Sequence, residues 1–270
     1  MGKALKVLLI LLVFCSASYG RVRVVASIWP LALMVRDVGG EYVDVDTLLP
    51  PGLSVHLWEM RPRDVLKIKR ADLLVMVGCS AEPWLKASIA PRIWRLCDGV
   101  ELKGGNPHVW LSFEVVEKRA FDLADTLGRL DAEHADYFRA KAKSLVDSLR
   151  RLRLSFRSLP DTKVVSHHGA WVYLLPELGM DYVGSIEPAP HREPGPKRLF
   201  YLIKKLSSGR CRIVVSEWGH NERLARMIAK KSGACLATLY PLGRGDESGL
   251  VDFFARNLSA LERCVERCIR

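Results

Sequence analysis

Two α/β halves joined by one long helix is the architecture this sequence predicts. The first observation is a set of short apolar runs bounded by helical or turn sequence, as strands of a buried parallel sheet are. Residues 22–28 (Val-Arg-Val-Val-Ala-Ser-Ile) and 73–77 (Leu-Leu-Val-Met-Val) supply two of them in the first half. Residues 163–166 and 212–216 (Arg-Ile-Val-Val-Ser) repeat the pattern in the second. The remaining observation is the periodic segment between the halves. Phe138, Ala142, Leu145, Leu149, Leu152, Phe156 and Leu159 recur at alternating steps of four and three, which predicts one helix over residues 132–158, stopped by Pro160. At 1.5 Å per residue it would be roughly 40 Å long, enough to run down both lobes and tie them together. A coiled-coil dimer seam is the competing reading of that stripe.

Taken in order, residues 1–20 read as an export signal, 21–130 as an N-terminal α/β lobe, 131–160 as the linking helix and 161–270 as a C-terminal α/β lobe. The signal carries Lys3 and Lys6, an apolar run over residues 7–14, and Ser18-Tyr19-Gly20 before a cut at Arg21. That run is too short to cross a bilayer, which needs roughly 20 residues. A lipid-anchored Cys15 is disfavoured, because Phe14 stands where such signals want a small residue. The chain is therefore expected outside the cytoplasm, in the periplasm or on the outer face of the cytoplasmic membrane.

The formal charge is +11, and removing the two leader lysines leaves about +9. Basic clusters at residues 67–70, 150–157 and 223–231 fall on helical stretches without an aromatic-interleaved stripe or a recognition motif. This argues against nucleic acid as a partner and for a solvated or membrane-proximal basic surface. Beyond Cys15 there are six cysteines, Cys79, Cys97, Cys211, Cys235, Cys264 and Cys268. An even number in an oxidising compartment favours disulfides over buried free thiols. Cys264 and Cys268 are four apart on a C-terminal helix, so both face one side and each can bridge to a different strand.

Three histidines stand in segments built to present a side chain at the end of a strand. These are His56 in Pro-Gly-Leu-Ser-Val-His, His108 in Asn-Pro-His-Val-Trp-Leu-Ser and His168 in Val-Val-Ser-His-His-Gly-Ala-Trp. Neutral imidazole suits zinc and similar ions, and three such ligands leave a tetrahedral corner for a fourth group or water. Taken singly, His56 is as well read as a turn residue and His108 as a buried residue bonded to backbone. His167 adjoins His168, and in an extended segment neighbours point oppositely, so only one of the two faces a cleft. His134 is expected on the exposed part of the long helix, solvated.

The order and wording of these segments resemble the zinc and manganese solute-binding proteins of bacterial and archaeal ABC importers, over nearly the whole chain after the leader. The match runs through Leu-Leu-Pro-Pro-Gly-Leu-Ser-Val-His-Leu-Trp-Glu-Met-Arg-Pro-Arg-Asp-Val with His56, then Ala71-Asp72-Leu73 and a stretch holding Glu82 and Trp84. It continues through residues 106–112 with His108, His168-x-Ala170-x-x-Tyr173, Pro194-Gly195-Pro196-Lys197-Arg198-Leu199 and Ser216-Glu217. The resemblance implies two lobes, each a small parallel sheet flanked by helices, with the ion held between them by His56, His108 and His168. It implies a protein that moves little on binding because the linking helix is stiff, delivers its ion to a membrane permease and does no chemistry; a monomer is expected. It also implies a Cys211–Cys264 bond, and beside it Cys79–Cys97 and Cys235–Cys268 are the expected pairs, although the remaining four cysteines could pair otherwise.

Two departures stand out. Asp-Pro-Leu-Gly, whose aspartate lies at the metal in many relatives, is Tyr240-Pro241-Leu242-Gly243 here. A phenol with a pKa near 10 is a poor ligand, so Tyr240 is expected near the ion without bonding it strongly. The fourth place then falls to water, a nearby carboxylate or His220. His191 and His220 stand where such relatives usually have no ligand, and are read as supporting or surface residues. The loop over residues 97–106 lacks the run of histidines and acids that zinc members often carry. Three imidazoles without the carboxylate favour Zn2+ over Mn2+. An exported zinc hydrolase is the rival reading; it needs a general base, for which Glu59, Glu187 and Glu217 are the candidates, and there is no His-Glu-x-x-His helix. An adhesin or purely structural sandwich fits the parallel-strand pattern poorly.

Overall fold

The computed structural model describes residues 20–55, 58–86, 89–188 and 192–269. The strands are β1 (Val22–Ala26), β2 (Val43–Thr47), β3 (Leu73–Met76), β4 (Ile93–Arg95), β5 (Thr162–Ser166), β6 (Asp181–Ser185), β7 (Cys211–Glu217) and β8 (Cys235–Leu239). The helices are α1 (Trp29–Gly39), α2 (Pro62–Arg70), α3 (Phe113–Leu130), α4 (Ala135–Ser155), the single turn α5 (Leu174–Glu177), α6 (Pro196–Ser207), α7 (Arg223–Ser232) and α8 (Leu250–Ile269). Two four-stranded sheets form, in the orders β2-β1-β3-β4 and β6-β5-β7-β8, and every pairing is parallel. Each lobe is therefore the expected small parallel sheet flanked by helices, and the same strand order occurs twice.

The four runs read from sequence are β1, β3, β5 and β7, the inner strands of the two sheets. Helices cover an inner strand on both faces, so most of its residues are buried. All four residues of β3 are buried, and six of the seven in β7. The outer strands carry mixed sequence because one face or one end meets solvent. In β2, for example, Val43-Asp44-Val45-Asp46-Thr47 alternates, and the aspartates are exposed.

The linking helix is shorter than the apolar stripe suggests. A 3-10 turn over Ala132–His134 precedes α4, which ends at Ser155 and is about 31 Å long by the standard rise. Phe156 is extended, with φ −70° and ψ 130°, so the chain leaves the helix before Pro160 while Phe156 itself stays buried. Periodicity persists past the helix because the turn into β5 buries its apolar residues against the same core. His134 is not solvated as expected. Its ring stacks on Tyr42 at 3.6 Å, and its Nδ1 lies 2.7 Å from Asp131 Oδ2, so it fixes the turn that opens α4.

The lobes share one continuous core. α4 packs on α1 and α3 of the first lobe and on α8 of the second. The rings of Phe113 and Phe254, from opposite lobes, stack at 4.3 Å, both fully buried. Polar ties reinforce this seam: the Glu177 carboxylate accepts from Ser112 Oγ and Phe113 N, and Asp37 Oδ2 accepts from Leu250 N. Among the described residues no helix is long and apolar enough to cross a membrane. The leader read from sequence lies outside the described residues except for Gly20.

Three disulfides form. Cys79–Cys97 pairs as expected, but the other two are Cys211–Cys268 and Cys235–Cys264, the reverse of the expected pairing. Sheet register explains the exchange. Cys235 sits beside Ile213, so Cys211 lies two residues nearer the edge where the strands begin. α8 returns toward that edge after β8, which carries Cys268 one turn beyond Cys264 and down to the level of Cys211. Trypsin cuts after Arg210, Arg263 and Arg267, so it separates these cysteines. Non-reducing peptide mapping is expected to yield Cys211 joined to Cys268 and Cys235 joined to Cys264. A peptide joining Cys211 to Cys264 would refute this register argument.

Candidate metal centre

In an open parallel sheet, ligands collect at the carboxyl ends of the strands where strand order reverses. Here β1 and β5 are the strands at which the order reverses, and the carboxyl ends of both sheets border one cavity of about 40 Å³. Gly52 to Val55, following β2, form one wall; His108 and Trp110 come from the segment leading into α3. The second lobe supplies His168 after β5, Glu187 after β6, Glu217 with Trp218 and His220 at the end of β7, and Pro241 to Gly243 after β8.

His108 is oriented by a residue two positions earlier. Asn106 Nδ2 donates to Gly169 O at 2.7 Å, which fixes which end of the amide is oxygen. That oxygen then accepts from His108 N at 3.0 Å and lies 2.8 Å from His108 Nδ1. With Nδ1 donating, the Nε2 lone pair of a neutral ring points into the cavity. Because Asn106 belongs to the first lobe and Gly169 to the second, the tie sets this ring and joins the cleft walls together.

His168 is set by a carboxylate. Its Nδ1 lies 2.7 Å from Oε1 of Glu217, which is fully buried and also accepts from Trp171 Nε1 at 3.0 Å. Burial alone would raise the Glu217 pKa. The charge and contact of His168, with help from His220 and Trp171, instead hold it below the usual carboxylate range. For His168, burial pulls the pKa down, but the neighbouring Glu217 charge outweighs it and the net shift is upward from 6.5. The outcome is a fixed anion behind an imidazole whose far nitrogen faces the cavity. His168 Nε2 and His108 Nε2 are 3.1 Å apart.

The other histidines sort by the same geometry. His167 is buried away from the cavity with Nε2 3.3 Å from Glu187 Oε1, whereas His168 lines it. His220 also lines the cavity, its ring nearly parallel to His168 at 6.3 Å, and burial lowers its pKa from 6.5. His56 and His191 lie outside the described residues. On either side of His56, Val55 O accepts from Trp84 Nε1 at 2.7 Å and Trp58 packs edge-on against Trp84 at 4.4 Å. Glu82 braces the loop carrying Trp84, its carboxylate accepting from Ser27 Oγ, Val77 N and Gly78 N.

Two glycines let the lobes close on this site. Gly52 has φ +83°, and a Cβ there would lie 2.7 Å from the Trp218 ring. Gly243 has φ +71°, and its Cβ would lie 2.8 Å from Trp29. Tyr240, expected beside the ion, does not line the cavity; Pro241, Leu242 and Gly243 do. Its ring packs toward Trp218 instead, and its backbone N–H donates to Asn257 on α8. Sequence reasoning missed the orienting role of Asn106, although Asn-Pro-His was on view, and treated Glu217 only as a motif residue and a candidate base. Its position as the last residue of an apolar strand was the available signal.

The sequence matches the profile of the family described as zinc-uptake complex component A, periplasmic, over residues 24–264. It is 23% identical over 277 residues to the high-affinity zinc uptake system protein ZnuA of Bacillus subtilis, covering 90% of this chain and 87% of that one. Among solved structures, the solute-binding protein FpvC of Pseudomonas aeruginosa in complex with Mn2+ superposes with a TM-score of 0.78 at 27% identity, covering 92% and 99% of the two chains. The laminin-binding protein Lmb of Streptococcus agalactiae, described as having adhesin and metal-transporting activity, gives 0.79 at 26% identity over 90% and 99%. A parallel-sheet fold therefore does not speak against adhesion, contrary to the argument from strand pattern. The profile match spans both lobes and every segment that walls the cavity, and the chain belongs to the periplasmic zinc-uptake complex component A family of metal-binding transport proteins, which are not enzymes.

Proposed function

We propose that this chain is an extracytoplasmic solute-binding protein that captures one divalent transition-metal ion, zinc in preference to manganese, and hands it to an ABC permease. The ligands are His56, His108 and His168. The observation that carries this reading is the pair of Nε2 atoms 3.1 Å apart, each on a ring whose other nitrogen faces an oxygen acceptor. Two lone pairs that close repel, so either a proton on one ring or a metal ion lies between them, and the oxygen partners behind both rings suit the metal. Zn–N bonds of roughly 2.0–2.1 Å place two tetrahedral ligands about 3.3 Å apart, close to that spacing. Oxygen partners on the outer nitrogens are the usual support of metal-bound histidine.

His56 is assigned from its motif and from its neighbours Ser54 and Val55, which line the cavity. The fourth corner falls to water, or to Glu187 or His220 on the same wall after a side-chain shift, since among the described residues no three such groups stand close enough to hold an ion. Imidazole-rich ligation favours zinc, while a carboxylate in the fourth corner would narrow its margin over manganese. Export rests on the leader read at residues 1–20 and on the periplasmic character of the family. The protein is proposed to act as a monomer. A hydrolase finds no support here: Glu217 is engaged by His168 and Trp171, Glu187 lies against His167, and Glu59 is exposed and does not line the cavity.

Isothermal titration is expected to give one zinc ion per chain. His56→Ala, His108→Ala and His168→Ala should each weaken binding by more than the roughly 10–100-fold that loss of a supporting partner costs. His134→Ala should keep parent affinity while lowering the melting temperature, because it loses the stack on Tyr42. Parent-like affinity in His56→Ala would sink the ligand set.

A proton competes with the metal for His168 Nε2, and the upward shift of that imidazole means competition begins above pH 6.5 as pH falls. Zinc affinity should therefore decline through a midpoint above the ordinary histidine value. Glu217→Gln removes the charge that raises the pKa, so the midpoint should move to lower pH, while affinity at a pH of about 8 drops roughly 10–100-fold. A midpoint that does not move contradicts this account.

As cargo, the ion should leave reversibly on addition of excess chelator. The loaded protein should turn over esters, amides or phosphoesters no faster than free zinc does. Hydrolysis abolished by His108→Ala would reinstate the hydrolase.

A further inference from the structure

The metal site leaves one strongly charged surface unexplained. α6 and α7 lie side by side over one face of the second sheet, with Leu202, Leu206, Ala225 and Ile228 buried against Val165 and Val214. Lys197, Arg198, Lys204 and Lys205 on α6 and Arg223, Arg226, Lys230 and Lys231 on α7 are basic, and neither helix contains an acid. Arg198 turns inward to the carbonyls of Ser185 and Ile186; the other seven are exposed. Glu222, just ahead of α7, pairs with Arg226 and is otherwise engaged by Ser216 and Thr238.

Helix dipoles account for part of this layer only. They favour Lys204, Lys205, Lys230 and Lys231 in the last turns, but they disfavour Lys197 and Arg223 in the first. Several helical cations elsewhere are paired with acids. On α3 and α4, Arg119 pairs with Asp122, Arg139 with Asp125, Lys143 with Asp147 and Arg150 with Glu117. The α6–α7 layer also exposes two aromatic rings among its lysines, Phe200 at 70% and Tyr201 at 52%. Residues 197, 200, 201 and 204 share one helical face, and Lys205 Nζ lies 5.9 Å from the Tyr201 ring centroid.

We propose that the α6–α7 layer is a docking surface for anionic phospholipid. Clustered lysine and arginine answer the headgroup charge, and aromatic rings between them suit the boundary between headgroups and acyl chains. Rings of this kind also serve protein interfaces, but lysines and aromatic rings sharing one exposed helical face, 197, 200, 201 and 204, match the pattern of a helix lying in a headgroup layer. α7 starts three residues after His220, which lines the metal cavity, so lipid contact along this layer holds the cleft close to the membrane plane.

The test is vesicle co-sedimentation of the chain beginning at Arg21, so that the apolar leader contributes nothing. Vesicles of phosphatidylcholine alone are compared with vesicles containing about one-third phosphatidylglycerol. The chain should partition to the anionic vesicles, more weakly as salt rises. Lys204→Glu with Lys230→Glu should weaken partitioning about tenfold or more. Lys69→Glu with Arg70→Glu, an equal charge change on exposed residues at the end of α2, should change it much less. Phe200→Ala should weaken it severalfold, with zinc binding retained as the check on folding. Equal partitioning to both vesicle types, an equal loss in the α2 pair, or binding to heparin without binding to vesicles would each overturn the proposal.

Discussion

A fully buried carboxylate at the end of a central strand governs this molecule. Glu217 is 0% exposed at its side chain, and its charge is tolerable only because positive or donor groups are fixed around it. His168 and Trp171 meet it directly, and both come from the segment that follows β5, the neighbouring strand. The register of β5 against β7 is therefore what brings imidazole to carboxylate. A one-residue slip would leave the anion without its partner and turn His168 away from the cavity.

The first lobe completes the same arrangement through rigid ties. Asn106 reaches across to Gly169, Tyr173 OH donates to Asn106 O, and Trp110 Nε1 donates to Pro241 O, so the strip bearing His108 is held by backbone and side chains of the second lobe. With a core continuous through Phe113, Phe253 and Phe254, the lobes do not form separate bodies on a hinge. Stiffness that the resemblance assigned to a linking helix is thus shared with α8 and with these cleft-wall bonds.

Legibility followed burial. β1, β3, β5 and β7 could be read because each is mostly buried and carries a run of adjacent buried apolar residues, whereas β2, β4 and β6 carry the mixed sequence of partly solvated strands. The stripe from Phe138 to Leu159 identified the linking helix but overran its end. Burial of Phe156 and Leu159 in a turn looks the same in one dimension as burial on a helix face. His134 was misjudged for a related reason, since stacking on Tyr42 depends on a residue some ninety positions away.

By itself, the sequence determined the two α/β halves, the helix between them, the family and the segments that wall the cavity, because each depends on local pattern or contiguous motif. Tertiary structure alone decided which cysteines on α8 meet Cys211 and Cys235, that Tyr240 turns toward Trp218 instead of lining the cavity, and that Asn106 and Glu217 aim the two imidazoles. Those outcomes depend on strand register and on contacts between residues far apart in the chain. A pattern of residue types carries no distance between such positions; only the packed sheet fixes it.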